Sequence, residues 1–66
     1  MKISNFIKEE IEQIINKANF TDREKELFDL RNKEKTLEEC AEILGYSLST
    51  VNRLNKEVKR KIMRVI

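Results

Sequence analysis

Residues 36 to 56 read TLEECAEILGYSLSTVNRLNK, and they constrain the fold more tightly than any other stretch of the chain. Thr36 with Glu39 three residues on is a capping box, in which each side chain satisfies an amide left orphaned at a helix start. Leu37, Cys40, Ala41 and Leu44 then share one face of a helix over 37–44, with Ile43 beside it. Gly45 stands where that helix must stop, because a reversal there usually needs positive φ, which glycine adopts cheaply. Ser47, two residues later, is placed to cap a further helix through its hydroxyl. Leu48, Val51, Leu54, Val58, Ile62 and Val65 then hold one face over almost five turns. The spacing therefore predicts a helix-turn-helix spanning about 36–62, its second helix basic.

Two more helices precede it. Ile3, Ile7, Ile11, Ile14, Ile15 and Ala18 recur at helical intervals, widened by Phe6, which predicts an amphipathic helix over 4–18 that stops near Asn19. Thr21 and Glu24 form a second capping box, with Asp22 in the first turn where the helix dipole favours an acid. Leu27, Phe28 and Leu30 give that helix, over 22–32, its apolar side. Phe20, just before the cap, should turn inward. Asn32, Lys33, Glu34 and Lys35 read as a loop. No strand alternation is present, so the expected fold class is all-α, with four helices in one domain over residues 1–66.

Composition agrees and narrows the function. The chain has no proline and one glycine, and it is rich in Lys, Glu, Ile and Leu, which favours helix. Its longest uninterrupted apolar runs are two residues, against about 20 for a bilayer span, so no membrane partner is expected. A single Cys40 has no partner for a disulfide in its own chain, which suits the reducing cytoplasm. On the inward face of its helix, Cys40 reads as a small buried hydrophobe. With no histidine, no paired nucleophile and no glycine-rich phosphate loop, an enzyme is not expected, nor a cofactor or metal site. Glu9-Glu10 and Glu38-Glu39 are explained by solubility and capping, since neighbouring helical positions point about 100° apart.

Charge is unevenly spread. Residues 1–46 hold eight Lys/Arg and eleven Asp/Glu, a net of −3, whereas residues 47–66 hold six Lys/Arg and one Glu, a net of +5. A basic helix on an acidic body suggests an anionic partner met on one side, and double-stranded DNA fits the motif. With Val51, Leu54 and Val58 facing the core, the opposite side offers Ser49, Asn52, Arg53, Lys56 and Arg60. Ser47, Leu48 and Ser49, at the helix start, fall nearest the groove floor. Asn52 suits adenine and Arg53 guanine, each able to bond a base edge twice. Ser49, Thr50 and Lys56 suit phosphate or local backbone contacts, and Lys59, Arg60, Lys61 and Arg64 the phosphate flank. Arg23 and Lys35 are further backbone candidates. Tyr46, after the turn glycine, should fill the space between the two helices.

From residue 21 onward, TDREKELFDLR followed by KTLEECAEILGYSLSTVNRLNKEVKRKI resembles the fourth region of bacterial sigma factors. That family carries a T-x-R-E helix start, a T-L-E-E-I-A-x-x-L-G-x-S scaffold helix and turn, and a recognition helix of the form T/R-V-x-x-I. Its preceding helix corresponds to residues 4–18 here, so the likeness covers nearly the whole chain. LuxR-type response-regulator domains share the core segment. They usually place a lysine where Asn52 stands and a histidine where Leu54 stands, and they continue into a further helix. The sigma family prefers an aliphatic residue at the latter position. In sigma factors a separate promoter-melting domain precedes this module; 66 residues hold none, so the resemblance implies a free-standing module of the size of phage or mobile-element regulators.

The resemblance implies a sequence-specific transcriptional regulator. One helix-turn-helix reads only a few base pairs, so a homodimer or RNA polymerase is expected to supply a second contact. The alternative is an interaction module that docks on RNA polymerase or an anti-sigma partner through its acidic and apolar N-terminal helices.

Overall fold

The computed structural model describes residues 6–66 and contains four α-helices: α1 (Lys8–Ala18), α2 (Asp22–Asn32), α3 (Leu37–Leu44) and α4 (Leu48–Val65). Helix α4 is the long axis, packing against each of the other three, and α2 also packs on α3. At 18 residues it is about 27 Å long.

Local chemistry explains each boundary. At both Thr21 and Thr36 the capping box is complete: the threonine Oγ1 accepts from the amide of Glu24 (3.3 Å) or Glu39 (3.1 Å), and the glutamate Oε1 accepts from the threonine amide at 2.9 Å. These bonds hold the Glu39 carboxyl below its ordinary pKa, the Thr36 backbone amide contributing most. Helix α1 ends at Asn19, whose φ of 56° lies in the left-handed region that asparagine tolerates better than most residues.

The start of α1 differs from expectation. Residues 4 and 5, where the helix was expected to begin, lie outside the described residues, as does Ile3; Phe6 and Ile7 are not helical. Ile7 is the N-cap, and its amide donates to Glu10 Oε1 at 3.0 Å. Ile7 fits the apolar period but is 59% exposed, and the glutamate three residues on captures its amide and sets the boundary. Asn32, both the expected end of the helix over 22–32 and the first residue of the expected polar loop, is the last residue of α2, its Nδ2 donating to the Phe28 carbonyl at 3.0 Å.

The core consists of Ile14, Ala18, Leu27, Phe28, Cys40, Val51, Val58 and Ile62. Phe20 turns inward as its position predicts, its ring centroid 5.2 Å from that of Phe28. Cys40 is fully buried, and desolvation raises its thiol pKa. The apolar stripe of α4 is displaced from its expected centre. Leu48 is 42% exposed, while Asn55, between Val51 and Val58 on the same face, is only 7% exposed. Among the described residues, no helix is long and apolar enough to cross a membrane.

Candidate nucleic-acid interface

The turn between α3 and α4 is built from three residues. Gly45 takes φ +73°, and its amide and that of Tyr46 both donate to the Ala41 carbonyl, at 2.9 and 3.0 Å. This closes the last turn of α3 and reverses the chain. Tyr46 is half-buried against the core, as its position predicts, and the Arg23 guanidinium carbon lies 5.2 Å from its ring centroid. A cation over an aromatic face at that separation is attractive, and it brings α2 alongside the turn. Ser47 Oγ accepts from the Thr50 amide at 3.2 Å and donates to Thr50 Oγ1 at 3.0 Å. The Ser47 hydroxyl is therefore engaged in starting α4.

Beyond the cap, α4 presents two faces. Val51, Asn55, Val58 and Ile62 are buried; Leu48, Ser49, Asn52, Arg53, Lys56, Arg60, Met63 and Arg64 are exposed. Helical geometry places Ser49, Arg53, Lys56 and Arg60 opposite the core, with Leu48 and Asn52 on the flank. Asn52, Arg53 and Lys56 form no hydrogen bond or ion pair among the described residues, so their polar ends are free. Thr50 and Lys59 are half-buried at the edges.

Two of the expected phosphate contacts are placed otherwise. Lys61 turns toward the body of the protein, where its Nζ donates to Glu24 Oε1 at 2.6 Å and to the Asn19 carbonyl at 3.3 Å. Burial opposes ionisation of Glu24, but the Lys61 hydrogen bond and charge, with the Thr21 amide, outweigh it and hold the carboxyl below its ordinary value. The lysine sits on the solvent-bordering edge of the stripe, and a carboxylate buried to 4% exposure is its nearest counter-charge. Arg60 points outward as expected but is bound by Glu57: its Nε donates to Glu57 Oε1 at 3.0 Å and its Nη2 binds the same oxygen. That bond raises the Arg60 pKa and lowers that of Glu57.

Sequence reasoning missed three of these features. Asn55 falls on the apolar spacing, four residues after Val51 and three before Val58, a period that could have located it. Glu57 lies three residues before Arg60, a spacing at which helical neighbours meet. The Glu24–Lys61 pair spans 37 residues and left no local signal.

Comparison with curated proteins returned no match, and neither did comparison with solved structures. The family model described as Sigma-70, region 4 matches residues 18–63, from the end of α1 through nearly all of α4. The capped scaffold helix, glycine turn and exposed basic helix are thus those of a DNA-binding helix-turn-helix module, and the chain belongs to the sigma-70 region 4 family.

Proposed function

We propose that this protein is a sequence-specific DNA-binding transcriptional regulator of the cytoplasm, reading the major groove with the N-terminal half of α4. The observation that carries the reading is the free, outward Asn52–Arg53–Lys56 surface behind a rigid cap and turn. Leu48, at 42% exposure, supplies an apolar contact of the kind a thymine methyl accepts. Asn52 and Arg53 read base edges; Ser49, Lys56, Lys59 and Arg64 hold phosphates. Ser47 and Thr50 act chiefly by capping α4, leaving Thr50 and the Ser47 backbone at the groove edge. Arg23, over Tyr46, brings a further cation to the start of α4.

A module of this size buries roughly 600–1,000 Å² on DNA, so a second contact is needed for useful specificity. Selection of bound fragments from random duplexes tests the reading. A palindromic consensus means a homodimer; a single half-site means that another protein, such as RNA polymerase, supplies the rest. Recovery of no enriched sequence would contradict sequence-specific reading.

A second reading is supported by the surface between α2 and α3. Leu30, Ile43 and Leu44 floor a shallow depression of about 190 Å³ rimmed by Glu26, Asp29 and Lys33, and Ile43 is 56% exposed. That surface suits docking on RNA polymerase or an anti-sigma partner, alone or together with DNA binding. Pull-down of RNA polymerase by wild type but not by Ile43→Glu supports it; equal capture by both removes it.

A further inference from the structure

Glu57 is the sole acid on α4, which carries six cations between Arg53 and Arg64. It lies on the outward side, four residues after Arg53 and seven before Arg64, so it shares the surface assigned to DNA. Its side chain keeps 39% exposure and that of Arg60 54%, so the pair stands in solvent at the rim of the basic face. Nε and Nη2 of Arg60 converge on one oxygen of Glu57. The side-on Nε/Nη2 fork is thus held by the carboxylate, which leaves a phosphate only the end-on Nη1/Nη2 edge. Arg60 itself occupies the phosphate-facing line, four residues after Lys56 and seven after Arg53. A helix that enters the groove at its N-terminus carries those later turns out toward the backbone.

We propose that Glu57 is a brake on duplex affinity: it engages Arg60 in the free protein and sets a negative charge where α4 rises to the phosphates. The inference rests on the DNA reading of α4 and identifies a residue that limits its strength. Two effects combine. A phosphate must displace the carboxylate to gain the side-on fork of Arg60, and a carboxylate at that turn lies within a Debye length, about 8–10 Å, of the backbone. Both act through phosphates, so the brake lowers affinity for every sequence alike and leaves base preference unchanged.

The test is fluorescence anisotropy on a labelled random-sequence duplex and on the duplex recovered by selection, from about 50 to 200 mM salt. Glu57→Gln keeps the shape and removes the charge, and a circular dichroism melt verifies folding. It should tighten binding to both duplexes by about three- to tenfold at the low-salt end and steepen the log–log salt slope by about 0.9, one added phosphate contact. Glu57→Lys should tighten binding further. With Arg60→Gln as background, the slope change should vanish, leaving only relief of repulsion.

If wild type binds duplex and Glu57→Gln matches it in affinity and slope, the brake is refuted while the DNA reading stands. A change in sequence preference would make Glu57 a base reader, and the brake would again be wrong. If neither protein binds either duplex at low salt, the DNA reading falls and the brake with it.

Discussion

Lys61→Met separates a cation used for folding from cations used for binding. Methionine keeps the apolar stem and removes the ammonium, which gives up the 2.6 Å bond to Glu24 and the 3.3 Å bond to the Asn19 carbonyl. Glu24 retains the Thr21 amide at 2.9 Å but is otherwise left as a charge at 4% exposure. A hydrogen bond to a charged group contributes about 1.5–3 kcal/mol, and orphaning a fully buried ion costs about 3–5 kcal/mol. Lys61 keeps 18% side-chain exposure, so water reaches the site and the lower range applies. The expected loss is about 2–3 kcal/mol near neutral pH, or a fall in Tm of roughly 10–20 °C for a domain this small.

The pH dependence carries a definite sign. In wild type the Glu24 pKa is depressed by folding, so its contribution is complete above the ordinary glutamate range and fades as pH drops through the lower folded-state value. In the variant, burial no longer faces a counter-charge, and protonation of Glu24 relieves the folded state. The gap between the proteins should therefore narrow as pH falls below the ordinary carboxylate range. Urea unfolding followed by circular dichroism at neutral and at acidic pH measures it. A gap under about 0.5 kcal/mol, the size of an ordinary surface change, or one equal at both pH values, would refute the buried-pair account. A shallower salt slope for duplex binding by the folded variant would instead return Lys61 to the phosphate flank.

Arg53→Ala should relax sequence preference at one base pair by about 1–3 kcal/mol, whereas Lys59→Ala should weaken all duplexes alike; competition binding with single-base variants distinguishes them. Gly45→Ala should cost about 1–2 kcal/mol in urea unfolding, because an added Cβ meets no atom within 4 Å and only the positive φ opposes it. Asn19→Gly, at φ 56° and ψ 50°, should be neutral or slightly stabilising in the same assay. Asn55→Leu should stabilise by about 1 kcal/mol, since the Asn55 Oδ1 is buried with no hydrogen-bond partner among the described residues. Cys40 should resist thiol reagents in the native protein and react promptly in urea, its thiol fully buried and its pKa raised by desolvation.

Features encoded within a few residues were legible in the sequence. Thr21 with Glu24, Thr36 with Glu39, and Gly45 before Ser47 each write their geometry over a few positions, and α2 and α3 begin, and α3 ends, where those signals place them. Helix α4 was equally plain, because a stripe of β-branched and aliphatic residues over 18 positions has few other uses. The start of α1 was less so: Ile7 fits the apolar period yet stands outside the helix, since what sets the boundary is the Glu10 carboxylate on its amide. Outward placement of Asn52, Arg53 and Lys56 followed from the stripe alone. What each cation does afterwards did not. Arg60 and Lys61 are adjacent in sequence, but one reaches a carboxylate on its own helix and the other a carboxylate at the start of α2. Only the tertiary packing that brings α2 against α4 tells them apart.

We propose that the outward face of α4 holds DNA through Arg53, Lys56, Lys59, Arg64 and a cation or two from neighbouring elements. Anisotropy titration of wild-type protein against a random-sequence duplex over a salt series addresses it most directly. Four or five neutralised phosphates give a slope of log affinity on log salt of about −4. A slope near zero, or no binding at micromolar protein in low salt, would contradict the claim.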